Sequence, residues 1–496
     1  MSRAMTSIDH ALRGCARGLL AFTLSMLAAG PLLAREAASE PVDVLVCDVT
    51  LIDVVDGKRH AHRDIALSDG RIVAITGTAA KPDRKARRIV DGRGKYAIPG
   101  LWDMHVHFGG GEKLIEENRA LLPLYVAHGI TAVRDAAGDL SPSVFQWRDA
   151  IAAGREAGPT IFTSGPKIEG KDSIWPGDIE IDSEAGLDQA LDRLAAERVD
   201  FIKITDNTLS PALFLKALEK VKARGMISSA HIPMAVPVAQ ASDAGLGSIE
   251  HIAYAYKAGA PGEAGLSRRF GAGELDSRGV WDQVDATFDE KSARVAYRRL
   301  ARNGTAVTPT LNGSLVTAYL DQNDHASDDY LKYIGPGLQA TYAWRVERAS
   351  KDDAAAIARR HRRFETQAAI LPLLQEAGVT ILAGTDAGFL NSFNYPGIAL
   401  HEELALFVRY GLTPLQALQS ATINGARFLH KDATHGSLVE GKAADVVLLD
   451  ADPTKDIGAI RRIDTVILRG EVHDREALDG MLEDVRKRVA AMPAEG

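Results

Sequence analysis

Between residues 100 and 386 the chain repeats one unit, a short apolar strand followed by a stretch of helical periodicity, and this alternation constrains the fold more than any other feature. The strands are expected near Gly100 to His107, Thr131 to Ala136, Thr160 to Ser164, Phe201 to Thr205, Met226 to His231, Ser248 to His251, Ala306 to Leu311 and Thr380 to Asp386. Strands that alternate with amphipathic helices specify a parallel sheet with crossover connections. The helices carry their own punctuation: Ser183 precedes a face of Leu187, Leu191 and Leu194, Ser210-Pro211 opens a helix that Gly225 closes, and Thr413-Pro414 opens another. Eight such units close into a (β/α)8 TIM barrel whose chemistry lies at the C-terminal strand ends.

The two flanks read differently. From Val42 to Val90 apolar-rich strands are interrupted by Asp56-Gly57 and Asp69-Gly70, both hairpin-turn dipeptides, and Gly436 to His473 has the same character. The expected class is therefore α/β: a barrel over 99–433 and a small β-sandwich assembled from 41–98 and 434–474, followed by a C-terminal helix or tail over 475–496. Two connections exceed plain crossovers. Tyr254 to Ala301 is Gly-rich between Gly259 and Gly273, and Asn312 to Gly378 is helical in character and rich in aromatics. Long connections on an active face build lids or specificity walls, the alternative being packing or oligomer elements. The Ala-rich stretch from Asp352 to Arg363 reads as a plain surface helix.

The first 34 residues stand apart. Arg13 and Arg17 precede an apolar run from Leu19 to Ala29, and Ala34 offers a small residue for cleavage, the pattern of a signal peptide. A mature start near Arg35 and a periplasmic or secreted location follow, without stable membrane insertion after cleavage. A formal net charge of −8 argues against a nucleic-acid partner. Cys15 lies in the leader, so Cys47 remains alone and an intramolecular disulfide is excluded. A homo-oligomer stays open.

The chemistry-bearing residues sit at the strand ends. His105 and His107 are two apart on a strand, which puts both imidazoles on one face. His231, His251 and Asp386 end the fifth, sixth and eighth strands, so five acceptors converge on one mouth. Imidazoles with one carboxylate form the ligand set of Zn²⁺, with Mn²⁺, Fe²⁺ or Co²⁺ compatible. In Phe201-Ile-Lys-Ile-Thr205, alternation points Lys203 into the barrel if the isoleucines face the helices, and an unpaired ammonium there is costly. Such a lysine either pairs with a barrel carboxylate such as Asp135, or is neutral and takes up CO2 as a carbamate able to bridge two cations. His128, Arg134, Tyr254 and Tyr256 near the strand ends read as structural, and His401 as capping or packing a helix after strand eight.

The segments His105-Val-His107, Phe201-Ile-Lys-Ile, Ala230-His-Ile-Pro233, Gly247-Ser-Ile-Glu-His251 and Gly384-Thr-Asp-Ala-Gly388, with Ala97-Ile-Pro-Gly-Leu101 and Gly441-Lys-Ala-Ala-Asp445, resemble the amidohydrolase superfamily in order and spacing. The resemblance covers nearly the whole mature chain and is strongest to the branch related to imidazolonepropionase and Xaa-Pro dipeptidases. It implies a binuclear centre of His105, His107, Lys203 as carbamate, His231, His251 and Asp386, with two divalent metal ions. It also implies that a metal-activated water cleaves a small amide or peptide substrate, with Asp386 taking and passing on the proton and His231 helping the oxyanion. Cyclic amides or lactones are accessible to the same chemistry, and a non-catalytic metal or ligand binder is the reading from another class. One departure bears on the substrate: Thr205-Asp-Asn-Thr-Leu209 stands where prolidase-like members carry a glycine pair.

Overall fold

A computed structural model describes residues 41–78 and 85–493; the expected leader lies outside them. The strand Val42–Ile52 pairs antiparallel with Arg59–Ser68, which turns back into Arg71–Gly77. Asp69 and Gly70 both take positive φ in that turn, as a two-residue hairpin requires. From the other end of the chain, Val446–Leu449 pairs with Tyr96–Pro99 and with Ile463–Leu468, and Glu471–Asp474 completes the edge. Tyr96–Pro99 also runs beside Val42–Ile52, so both termini of the described chain enter one eight-stranded sheet. Its core is aliphatic, with Val46, Val49, Ile65, Leu67, Val446 and Leu448 buried. Asp474 then caps the helix Arg475–Ala490 by accepting the Ala477 N–H.

The central region forms two parallel sheets with helices between the strands. One contains Leu101–His107, Ile130–Asp135 and Thr160–Thr163; the other contains Ile202–Ile204, Ser228–Ala230, Ser248–Glu250 and Ala306–Thr308, with short strands at Ile168–Glu169 and Ile179–Glu180. Hydrogen bonds cross between the sheets on both sides. Asp200 N–H donates to the Thr163 carbonyl, and the 380–386 segment bonds to Val307 on one flank and to Met104 and His105 on the other.

Two expected strands are corrected. Thr380 to Asp386 is not a regular strand: it makes a single bridge, Val307 to Ile381, and a two-residue strand, Ala387–Gly388, follows beside Val106 and His107. Asp386 has φ 63°, which breaks the extended run where its side chain must turn into the mouth. The strand at Ala306 ends at Thr308, because Thr310 has φ 51° and Leu311 opens a helix. Two glycines of the Gly-Thr-Asp-Ala-Gly motif are sterically required: a Cβ on Gly388 would lie 2.1 Å from the His107 carbonyl oxygen, and one on Gly384 2.5 Å from a Thr308 methyl.

The two long connections are helical. Glu263–Gly271, Ser277–Thr287 and Glu290–Asn303 fill the first; Leu311–Ala318, Ala354–Ala368 and Leu371–Glu376 are among the helices of the second. Two glycines of the first mark helix ends: Gly262 precedes Glu263–Gly271 and Gly273 follows it, both at positive φ. Among the described residues no helix is long and apolar enough to cross a membrane.

Candidate metal centre

Short buried strands, with the turn at Asp386, deliver the five acceptors to one place. His105 and His107, two apart on Leu101–His107, bring their Nε2 atoms to 3.1 Å of each other. The Asp386 Oδ1 atom lies 2.9 Å from the His107 Nε2 and 3.4 Å from the His105 Nε2, so these three residues offer ligand atoms within 4.8 Å of one another. His231 and His251 follow adjacent strands, and their Nε2 atoms meet at 3.0 Å. The His105 and His251 ring centroids are 5.2 Å apart, which joins the two groups.

Two of the four imidazoles have their rear nitrogen hydrogen-bonded to the protein, and a third stands near a carboxylate. His105 Nδ1 lies 2.6 Å from the Glu250 carboxylate, His251 Nδ1 2.8 Å from the Thr310 hydroxyl, and His231 Nδ1 3.6 Å from Asp206. A proton held at Nδ1 leaves the Nε2 lone pair facing the centre, the arrangement in which a carboxylate or hydroxyl orients a metal-binding histidine. Burial favours the neutral form as well, pushing His105 down to about 4, with Lys203 adding to the shift. Burial alone would raise Asp386, but His107 and His251 override it and hold the carboxylate well below its ordinary range.

Lys203 is 1% exposed, and among the described residues its Nζ makes no hydrogen bond. It lines a cavity together with His107, His231, His251 and Asp386. Pairing with Asp135 does not occur: that carboxylate accepts from the Thr163 hydroxyl and from the Phe108 and Ala137 N–H groups. Burial above all lowers the Lys203 ammonium to about 8, against the pull of Glu250. A buried amine that shares its cavity with a cluster of imidazoles, and has no partner of its own, fits a centre that gains further charge and ligands. The nitrogen and oxygen donor set fits a divalent first-row ion.

Several residues that position this centre escaped the sequence reading. Glu250, one residue before His251, is fully buried and accepts from Ser229, Ser248 and both Nη2 contacts of Arg134 at 2.8 Å, in addition to His105. Arg134, correctly read as structural, also reaches the Met104 carbonyl, so it locks the first strand to the sixth. Asp103 accepts from the Thr385 hydroxyl at 2.7 Å and ties the first strand to the Asp386 turn. The 205–209 loop supplies Asp206, which also accepts from Tyr254 at 2.8 Å; the loop itself is held by Glu169, which accepts N–H groups of Asn207, Thr208 and Leu209. The only advance signal for Glu250 was its place beside His251 in Glu-His. His401 packs as expected, its Nε2 2.9 Å from the His128 carbonyl. The helix Ala354–Ala368 is not a plain surface helix, since Arg359, Arg360 and Arg363 line a cavity that reaches His251 and Asp386.

A parallel α/β scaffold whose strand ends gather four imidazoles and a carboxylate is the arrangement of a metal-dependent hydrolase. The amidohydrolase family model matches residues 96–473, and the chain belongs to that family, whose members generally bind divalent metals. It is 24% identical over 481 residues to the ochratoxinase of Aspergillus niger, covering 85% of this chain and 84% of the relative. Among solved structures it is similar to a bottromycin amidohydrolase, with TM-score 0.71, 22% identity and coverage of 91% of this chain and 92% of the other. It is also similar to a Xaa-Pro dipeptidase with bound methionine in the active site, with TM-score 0.63, 21% identity and coverage of 87% and 99%.

Proposed function

We propose that this protein is a metal-dependent hydrolase that cleaves a C–N amide-type bond of a dipeptide, an N-acyl amino acid or a similar small molecule with water. The observation that carries the reading is the convergence of His105, His107 and Asp386 with the His231–His251 pair around a buried, unpartnered Lys203. The names of the similar proteins, an amidohydrolase and a dipeptidase among them, support amide hydrolysis as the reaction. His105, His107 and Asp386 would hold one ion, His231 and His251 a second, and Lys203 would join them as its CO2-derived carbamate. When bound, two divalent ions, Zn²⁺ first for this donor set, supply the charge that brings a water's pKa toward ~7 and polarises the carbonyl.

The chain's own groups do the rest. Asp386 accepts the proton of the attacking water and returns it to the departing nitrogen. His231, backed by Asp206, faces the same centre and is placed to stabilise the developing oxyanion. Glu250 and Arg134 keep His105 in one orientation throughout. On this reading the two parallel sheets form a single (β/α)8 barrel over 99–433, with the β-sandwich of 41–98 and 434–474 beside it and the C-terminal 475–496 segment following. Residues 1–34 act as a signal peptide that directs the protein to the periplasm or outside the cell.

The test is hydrolysis of dipeptides, N-acyl amino acids and lactones by protein stripped of metal and reloaded with Zn²⁺ or Mn²⁺. Metal-dependent cleavage of the amides is expected. Preference for lactones would move the reaction to the cyclic ester class, and binding without turnover of any would make the protein a ligand binder. Lys203→Ala should lose metal and activity together and regain part of both with formate or acetate, whereas Lys203→Arg, still cationic, should not respond.

A further inference from the structure

The two halves of the centre are held in different ways. His105 and His107 sit within one strand, Leu101–His107, so the strand itself fixes their spacing. His231 and His251 each stand one residue past the end of a separate strand, beyond the last paired residues, Ala230 and Ile249. What keeps their Nε2 atoms at 3.0 Å must therefore lie in the segments that follow them. The segment after His231 is irregular up to Val238, and Pro233 and Pro237 within it have no N–H to donate. Its buried carbonyls need donors from elsewhere.

Lys257 supplies them. It lies on the helix Ile252–Ala258, which opens directly on His251, and it is 0% exposed. Its Nζ donates to the Met234 and Val236 carbonyls, both at 3.1 Å, and to the Ser267 hydroxyl at 2.8 Å, with Glu263 Oε1 3.0 Å away. Glu263 in turn accepts the Val238 N–H at 3.2 Å and the Ser267 hydroxyl at 3.3 Å. Glu263 and Ser267 are four residues apart on the helix Glu263–Gly271, hence on one face. A buried ammonium is costly unless it is both paired and hydrogen-bonded, and this one is both. The Ile252–Ala258 helix reaches His231 by a second route: Tyr254, three residues before Lys257, donates to Asp206, which stands 3.6 Å from His231 Nδ1.

We infer that Lys257 is a positioning residue for the second ion: its ammonium clamps the segment that begins at His231 to the helix that begins at His251, and so fixes the separation of the two imidazoles. This deepens the two-ion reading and rests on it. The long connection after the sixth strand is then a brace, since its first helix supplies the carboxylate and hydroxyl that make a buried ammonium tolerable. Without the clamp, the Met234 and Val236 carbonyls lose their donor and the segment carrying His231 is free to shift, while His105, His107 and Asp386 keep their own supports.

Lys257→Met alone leaves the Glu263 carboxylate buried without its counter-charge, so the test is the neutral pair, Lys257→Met with Glu263→Gln, in the full-length chain. Metal-stripped protein is titrated with Co²⁺ against a chelator, and the fold is checked by circular dichroism. The wild type should take up two ions. In the neutral pair one ion should bind as in the wild type and the other about tenfold more weakly or worse, the cost of freeing a group that orients a ligand. Lys257→Gln in the same Glu263→Gln background keeps an N–H donor in that space; it should fold more readily and lose less. Glu263→Gln alone should leave both affinities near those of the wild type, because even a neutral amine has donors for both carbonyls. In a His231→Ala background the neutral pair should change nothing further, since the site it braces is already gone. Wild-type affinity for both ions in the neutral pair, equal weakening of both, an equal loss with Glu263→Gln alone, or further weakening in the His231→Ala background overturns the inference. Uptake of a single ion by the wild type sinks the two-ion reading itself, and uptake of two by a wild type that cleaves no amide sinks the hydrolase reading while the clamp stands.

Discussion

The floor and the roof of the site are built in different ways. The floor consists of strands only three to seven residues long, and Asp103, His105, Arg134, Lys203, Ser229 and Glu250 are all at most 1% exposed. Its groups are cross-linked: Arg134 binds Glu250, Glu250 binds His105, and Asp103 binds Thr385 next to Asp386. The roof comes from the helices between residues 311 and 376, where Trp344 is 39% exposed and Arg345 and Arg359 are partly buried. The contrast separates two tasks. A buried, cross-linked floor tolerates little movement and so defines the reacting geometry, while a half-exposed roof can change its side chains without cost to the core and so defines what enters.

The strongest way to break this division is at Asp386. Asp386→Asn keeps the size of the side chain and removes the proton acceptor, so kcat should fall ~10²–10⁴-fold, with metal content, read by elemental analysis, falling less. Near-normal turnover at full metal loading would assign the base elsewhere. A smaller effect is expected one layer down. Glu250→Gln should weaken metal binding ~10–100-fold in a competitive chelator titration, because His105 loses the carboxylate that fixes its tautomer. An unchanged affinity would reduce Glu250 to a packing residue.

In the roof the expectation is milder and of another kind. Trp344→Ala should raise KM for whichever amide the hydrolysis screen finds best by about tenfold at most, with kcat moving less, since it removes one wall of the cavity beside Lys203 and touches no reacting group. A loss confined to kcat would place that residue in the floor's task instead.

The last expectation concerns stability away from the centre. His401, 2% exposed, is lowered to about 3 by burial first and by His128 second. His128 is lowered to about 4, again by burial. Each unfolded histidine takes up a proton near 6.5 that the folded site refuses, so their stabilisation is intact above pH 6.5 and is lost as pH falls toward the folded values. At pH 5 the loss from His401 is about 2 kcal/mol, and urea unfolding of His401→Gln should show a correspondingly flatter fall between pH 7 and 5. An unaltered slope would mean that His401 is not buried neutral.

The acceptors were legible because strand alternation and strand ends are local properties: His105-Val-His107, His231, His251 and Asp386 needed only spacing and the position of the next helix. The helix caps at Ser183, Ser210 and Thr413 were equally local, and each accepts its expected N–H. Lys203 was half legible. Alternation gave its inward direction, but whether a carboxylate awaited it depended on what the neighbouring strands carry at the same height, and Asp135 is saturated by Thr163 and two backbone N–H groups.

Glu250, Asp206 and Arg359 mark the boundary of what a linear reading reaches. Nothing in Ser-Ile-Glu-His says that the glutamate meets an imidazole 145 residues earlier, and nothing in a loop without glycines says that its aspartate backs His231. The Ala354–Ala368 helix has the pattern of a solvated surface, yet its arginines turn toward a cavity because the folded chain carries that surface over the centre. Residue order determined which donors exist and which element ends each one occupies, since those follow from periodicity over a few residues. Tertiary packing decided which nitrogen each histidine presents, which ammonium stays unpaired and which charges face the substrate, since each depends on atoms brought within a few ångströms from distant parts of the chain.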